Sequence, residues 1–156
     1  MKGSYFLVIH LPTGKEIATK GRRFALKEGY YVYVGSAMNS LEKRVARHFR
    51  ENKKLHWHID FLLEEARLLR AYMIPSGGVR LEETLSIEVS KFGEPVEGFG
   101  AGDVRVSTNL YRFEREPDAL LRVILKRLGL EWKRVKSEGG EAMEFGGKNE
   151  ARTGKG

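Results

Sequence analysis

The chain has 156 residues, of which 41% are hydrophobic, and this is enough for one compact domain with a buried core. It contains no cysteine, which excludes disulfides and zinc–thiolate sites. No apolar run approaches the ~20 residues of a membrane span, and the apolar stretch over residues 5–11 is too short for a signal peptide. We therefore expect a cytoplasmic protein with no membrane partner.

The charge is strongly basic and unevenly distributed. The formal net charge is +7, from 28 basic and 21 acidic residues. Residues 137–156 hold three basic and four acidic side chains, so that residues 1–136 carry +8. A basic folded region attracts polyanions through phosphate contacts and counterion release. Charge alone leaves two interpretations open, a nucleic-acid-binding protein and a soluble protein with a high pI.

Hydrophobic periodicity and turn residues predict the elements in chain order. In the first half of the chain, the pattern predicts a strand over 5–11, an extended segment over 15–26 with a loop near Gly21, a strand over 30–34, and a helix that has Asn39 as its N-cap and runs to about 51. It then predicts a helix over 59–66 and a strand over 68–74. The last predicted elements are a helix over 81–92, a strand over 104–110 and a helix over 117–129. This order is typical of an α+β fold with a small mixed or antiparallel β-sheet flanked by helices.

Three regions follow from this pattern. Residues 1–113 form the main domain, and residues 114–136 supply a C-terminal helix packed on it. Residues 137–156 contain six of the 18 glycines and few residues to bury, which predicts a disordered tail.

Several short motifs, taken in order, resemble one nuclease superfamily. Gly3-Ser4-Tyr5 and Tyr33-Val34-Gly35 are similar to the two halves of the GIY-YIG signature, and the helix over 41–49 resembles the next GIY-YIG motif. The segments 29–37, 56–60 and 98–103 resemble the Uri-type endonuclease branch. The resemblance covers about residues 1–113. Ser4 replaces the isoleucine of the signature, and the two tyrosines are further apart than in most members.

This resemblance implies an endonuclease that hydrolyses DNA phosphodiester bonds with Mg²⁺ or Mn²⁺, in repair or recombination, and that is structure-selective or weakly specific. It also implies DNA as the partner, with RNA as an alternative, for a monomer or weak homodimer. A second hypothesis is a non-catalytic nucleic-acid-binding domain that keeps the GIY-YIG fold. The third, ranked lowest, is a metal-independent RNA-binding or interaction module.

The resemblance also assigns roles to individual residues. It places Tyr5 beside the attacking water as orienter or general base, with Tyr33 on the neighbouring strand. Arg44 is the phosphate-stabilising arginine, a task that suits a permanently charged, forked donor. His48 lies one turn from Arg44 on the same edge of the helix and completes the catalytic set with Glu82.

Glu82 is the predicted metal ligand. The resemblance puts a metal-binding glutamate on the third helix, where Glu82 and Glu83 compete. At about 100° per residue, Glu82 borders the apolar face of that helix, whereas Glu83 points nearly opposite. The alternative is an ordinary first-turn glutamate that is stabilised by the helix dipole.

The remaining candidates are predicted to contact nucleic acid. Helical spacing aligns a basic stripe on the first helix, for which a solvated face is an equal alternative. His56 and His58 flank Trp57, where either a phosphate contact or a role in capping the second helix is expected. Asp103 follows a glycine-rich loop and is either a site residue or a turn aspartate. The stripe consists of Lys43, Arg47, Arg50 and Lys54.

Overall fold

The computed structural model describes residues 1–77, 79–100 and 107–147, and in these ranges the chain forms nine strands and four helices. The elements are β1 (Gly3–Leu11), β2 (Lys15–Thr19), β3 (Arg22–Leu26), β4 (Gly29–Ala37), α1 (Leu41–Phe49), α2 (His58–Glu65), β5 (Arg67–Pro75), α3 (Glu82–Ser90), β6 (Glu94–Pro95), β7 (Leu110–Phe113), α4 (Asp118–Arg127), β8 (Trp132–Val135) and β9 (Ala142–Gly146).

Seven of these strands form one antiparallel sheet, in the order β6-β7-β4-β1-β5-β8-β9. Strand β1 lies at its centre, paired with β4 on one side and β5 on the other. A central strand covered on both faces must be apolar at nearly every position, which explains the continuous burial of β1. The predicted α+β class with a small central sheet is confirmed.

Each face of the sheet has its own core. On one face, Tyr5, Leu7 and Ile9 of β1 pack with residues of α1, α2 and the hairpin formed by β2 and β3. On the other face, Phe6 and Val8 pack with residues of α3 and α4. The strict alternation of β1 therefore separates the helices into two layers.

The start of α1 differs from the prediction by one residue. Ser40, not Asn39, is the N-cap, since its hydroxyl accepts a hydrogen bond from the Lys43 N–H at 3.2 Å. The Leu41 N–H, which has no partner within the helix, donates to the Met1 carbonyl at 2.7 Å. Contact with the start of β1 thus determines where the helix begins.

The prediction of a disordered tail over 137–156 is wrong for its first half. Residues 142–146 form β9, which pairs with β8 and extends the sheet. Gly146 allows this pairing, because a Cβ at this position would clash with the Trp132 ring. This glycine, one of those that suggested disorder, is therefore needed for packing, while residues 148–156 lie outside the described residues.

Among the helices that the structure describes, none combines the length and the apolar composition required to cross a bilayer.

Candidate functional site

A cavity of about 250 Å³ opens where β1 begins and β4 ends. All five residues predicted to carry the chemistry line it, although they come from two strands and two helices. They are Tyr5, Tyr33, Arg44, His48 and Glu82. The other lining residues are Gly35, Ser36, Trp57, Arg80, Gly100 and Asn109. Tertiary folding has thus gathered the sequence motifs around a single space.

The pairing of β1 with β4 places the two motif tyrosines together. Tyr5 is opposite Gly35 and Leu7 is opposite Tyr33, so both tyrosine side chains lie on the same face of the sheet. Their ring centroids are 6.5 Å apart. A Cβ at Gly35 would lie 2.5 Å from the Tyr5 hydroxyl oxygen. Gly35 is needed because the Tyr5 ring crosses its backbone.

Tyr5 and His48 form a buried hydrogen-bonded pair, with 2.8 Å between the Tyr5 hydroxyl and His48 Nε2. Burial raises the pKa of Tyr5 to about 12, although the positive charge of Arg44 opposes this shift. Burial lowers the pKa of His48 to about 3. Both side chains are therefore neutral at neutral pH. In the tautomer with its proton on Nδ1, His48 Nε2 accepts a hydrogen bond from the Tyr5 hydroxyl.

His48 lies deeper than its predicted place at the edge of α1, with only 2% of the residue exposed. The helix turns His48 toward β1 together with Val45 and Leu41. The Tyr5 hydroxyl gives the buried imidazole a partner, which reduces the cost of removing it from water.

Arg44 reaches the cavity with part of its guanidinium already bound. Its Nη1 donates to the Ser36 carbonyl at 2.9 Å, and its guanidinium carbon lies 4.5 Å from the centre of the Trp57 ring. These two contacts hold the planar group without neutralising its charge. The remaining donors are available for an anion in the cavity.

Glu82 is held in place by Asn109, which the sequence leaves undecided as a site residue. Asn109 Nδ2 donates to Glu82 Oε2 at 3.0 Å and to the Gly100 carbonyl at 3.1 Å. Asn109 is itself oriented by Ser86, whose hydroxyl donates to Asn109 Oδ1 at 3.2 Å. Glu83 does not line the cavity. The choice of Glu82 by helix geometry therefore agrees with its place in the fold.

The donor set of the cavity limits which metal it could hold. Within the described ranges, no three histidine, aspartate or glutamate side chains are placed to bind one ion. Among the described lining residues Glu82 is the only carboxylate, and its Oε1 accepts no hydrogen bond from a described residue. One free carboxylate oxygen fits an ion such as Mg²⁺, which keeps most of its waters.

Sequence reasoning missed Arg80 and Trp57 as lining residues. Arg80 precedes α3 by two residues and adds a second cation to the cavity. Its proximity to Glu82 in sequence was the available signal. The residue type of Trp57 offered no such signal, because an aromatic residue between two histidines is equally typical of a core position.

The basic stripe, which was predicted either to contact nucleic acid or to be a solvated face, is not a free row of cations. Arg47 Nη1 and Nη2 donate to the two oxygens of Asp60 at 2.9 and 3.1 Å, and Asp60 is fully buried. Arg50 lies 3.3 Å from Glu138. Lys54 lies beyond the end of α1 at Phe49. Acidic partners from distant parts of the chain occupy the two arginines, which leaves Lys43 as the helical member that has no acidic partner among the described residues.

His56 and His58 do not line the cavity. The His56 backbone N–H donates to Asp60 Oδ2 at 2.8 Å, as part of the start of α2. His58 Nδ1 is 2.6 Å from the Thr19 hydroxyl, and burial lowers the pKa of His58. The structural role at the second helix therefore describes both residues better than a phosphate contact. Asp103 lies outside the described residues.

Comparison with known proteins gives one match. The family described as "Domain of unknown function DUF123" matches residues 4–130, which is most of the chain and includes every residue that lines the cavity. No curated protein and no solved structure matches the chain. The chain therefore belongs to the DUF123 family, which is part of the GIY-YIG-like superfamily.

Proposed function

We propose that this protein is a divalent-metal-dependent endonuclease that hydrolyses phosphodiester bonds in DNA, within the Uri-type branch of the superfamily. The observation that carries the proposal is the composition of the cavity, where one carboxylate, two arginines and a neutral tyrosine–histidine pair face the same space. Phosphodiester hydrolysis requires a metal ligand, a cation for the developing charge and an acceptor for the proton of water.

The proton moves along the bond between Tyr5 and His48. As water attacks phosphorus, the P–O bond to the leaving sugar oxygen breaks, and the Tyr5 hydroxyl oxygen takes one proton from the attacking water. The leaving oxygen takes a proton from solvent. The proton that Tyr5 carried passes to His48 Nε2, 2.8 Å away. The low pKa of His48 keeps this nitrogen unprotonated before the reaction. Tyr5 thus acts as general base without ionising in the resting enzyme.

Arg44 and Glu82 act on the phosphate from separate directions. The free donors of Arg44 bind the nonbridging oxygens as negative charge builds up, and Trp57 and Ser36 hold the guanidinium in place. Glu82 binds the metal ion, and Asn109 fixes the carboxylate through Oε2. When bound, the ion supplies Lewis-acid stabilisation of the phosphate oxygens.

The first test is cleavage of labelled duplex, flap, junction and single-stranded DNA, and of RNA, in Mg²⁺, Mn²⁺ or EDTA. We expect metal-dependent cutting by the wild type and a loss of at least about 100-fold in Glu82→Gln, the range typical of removing one catalytic group. Glu83→Gln is the matched control, since it removes the same charge from the adjacent position, which does not line the cavity.

Equal cutting by wild type and Glu82→Gln would contradict the proposal. Tight binding without cutting in any metal would favour the second hypothesis, a non-catalytic nucleic-acid-binding domain. The panel also identifies the preferred substrate and distinguishes DNA from RNA.

A further inference from the structure

The hairpin of β2 and β3 carries a strong positive charge. Residues 15–27 hold five basic side chains and one acidic one, for a net charge of +4. Three of these cations are compensated or distant from the turn: Lys15 pairs with Glu65, Arg23 pairs with Glu16, and Lys27 follows the end of β3. Lys20 and Arg22 remain at the turn, both exposed.

Two hydrogen bonds fasten this turn to the walls of the cavity. Arg22 Nη1 donates to the Gly98 carbonyl at 2.9 Å, and Gly100, two residues further on, lines the cavity. On the other side, the Thr19 hydroxyl is 2.6 Å from Nδ1 of His58, the residue after the lining Trp57. The contacts with Gly98 and His58 therefore position the turn beside the cavity.

The two cations are free to bind another group. No carboxylate among the described residues forms an ion pair with Lys20 or Arg22. Arg22 uses one nitrogen for Gly98, so several of its five donors remain. Both residues also contribute to the lowered pKa of His58, after the effect of burial, which indicates that their charges face this histidine.

We propose that the turn of this hairpin, with Lys20 and Arg22, binds the phosphate backbone of the nucleic-acid strand that enters the cavity. This inference rests on the proposed function for the identity of the strand. It replaces the basic stripe as the nucleic-acid track, because Asp60 and Glu138 occupy Arg47 and Arg50 of that stripe, whereas the cations of the turn have no such partner among the described residues.

The test measures binding of labelled duplex and single-stranded DNA by fluorescence anisotropy over a series of KCl concentrations, in EDTA. The variants are Lys20→Gln and Arg22→Gln, which remove the positive charge and keep a polar side chain. The slope of log K against log salt is negative. Each lost phosphate contact should reduce its magnitude by about 0.9 for duplex or about 0.7 for a single strand. Lys27→Gln removes the same charge at the other end of β3 and should leave the slope nearly unchanged.

The outcomes separate this inference from the proposed function. Slopes equal to wild type in Lys20→Gln and Arg22→Gln would overturn the inference, even if Glu82→Gln abolishes cutting. An equal effect of Lys27→Gln would also overturn it, since the slope would then report overall charge. If the turn variants reduce the magnitude of the salt slope but the wild type never cuts, the turn remains a binding surface and the nuclease proposal fails.

Discussion

Tyr5 and His48 show how burial, more than residue type, decides the chemistry of a side chain. Histidine is ordinarily half protonated near pH 6.5, yet His48 is enclosed by α1 and β1 and has a pKa of about 3. Its Nδ1 has no hydrogen-bond partner among the described residues. Burial disfavours the charged imidazolium, so the site favours the neutral form.

This low pKa predicts a specific pH dependence of stability. Between pH 6.5 and about 3, the unfolded chain binds a proton at His48 and the folded chain does not. The free energy of unfolding should therefore fall by about 1.4 kcal/mol for each unit that the pH falls within this window. Above pH 6.5 this contribution is constant.

The measurement is denaturant unfolding of wild type and His48→Gln from pH 7.5 to pH 4.5. The variant lacks the titrating ring, and its stability should fall less steeply with decreasing pH. Parallel curves for the two proteins would show that the pKa of His48 is not lowered in the folded state.

At the scale of elements, α1 and α2 are joined by one buried ion pair. Asp60 in the first turn of α2 accepts hydrogen bonds from Nη1 and Nη2 of Arg47 and from the backbone N–H groups of His56 and Trp57. Burial alone would raise the pKa of Asp60, but the hydrogen bonds from Arg47 and the backbone lower it. Arg47 also lies 4.5 Å from the Trp57 ring. It therefore supports a wall of the cavity.

Arg47→Ala should destabilise the fold, because it leaves the Asp60 carboxylate buried without its cation. Asp60 retains two backbone donors, so we expect a loss of about 2–3 kcal/mol in the free energy of unfolding. Arg50→Ala, which breaks the exposed pair with Glu138, should cost less than about 1 kcal/mol. Urea denaturation of both variants is the measurement, and equal losses would contradict the structural role of Arg47.

At the scale of the whole molecule, the sheet extends well beyond the strands that carry the site. Strands β8 and β9 extend the edge next to β5, and Trp132 of β8 packs against Tyr72, with ring centroids 5.2 Å apart. The C-terminal part of the described chain thus covers one end of the core that α3 and α4 share with the sheet.

This packing predicts that two glycines in the same segment respond differently to substitution. A Cβ at Gly146 would clash with the Trp132 ring, whereas a Cβ at Gly139 would meet, among the described residues, only the Ser137 hydroxyl at 3.7 Å. Gly146→Ala should cost about 1–3 kcal/mol through overpacking, and Gly139→Ala should cost much less. Thermal unfolding of the two variants tests this, and equal melting temperatures would show that β9 contributes little to stability.

Much of the fold could be predicted from the sequence because its signals are local. Periodicity and turn residues predicted most strands and helices up to Gly129 within a few residues of the observed boundaries. The strand predicted over 104–110 is an exception, since β7 is Leu110–Phe113, and the two-residue β6 was not predicted. Strands β8 and β9 were missed, since short strands among glycines and charges lack a pattern of their own. Their stability comes from pairing with β5 and with each other.

The sequence by itself predicted the α+β class, because periodicity depends on neighbouring residues, and its resemblance to the GIY-YIG superfamily singled out Tyr5, Tyr33, Arg44 and Glu82 as candidates. Only the tertiary structure decided which charges remain free and which histidine is buried. Arg47 donates a hydrogen bond to Asp60, 13 residues away in the sequence, and Asn109 donates one to Glu82, 27 residues away. The free energy of a charge depends on such partners and on its exposure, and folding alone brings them together.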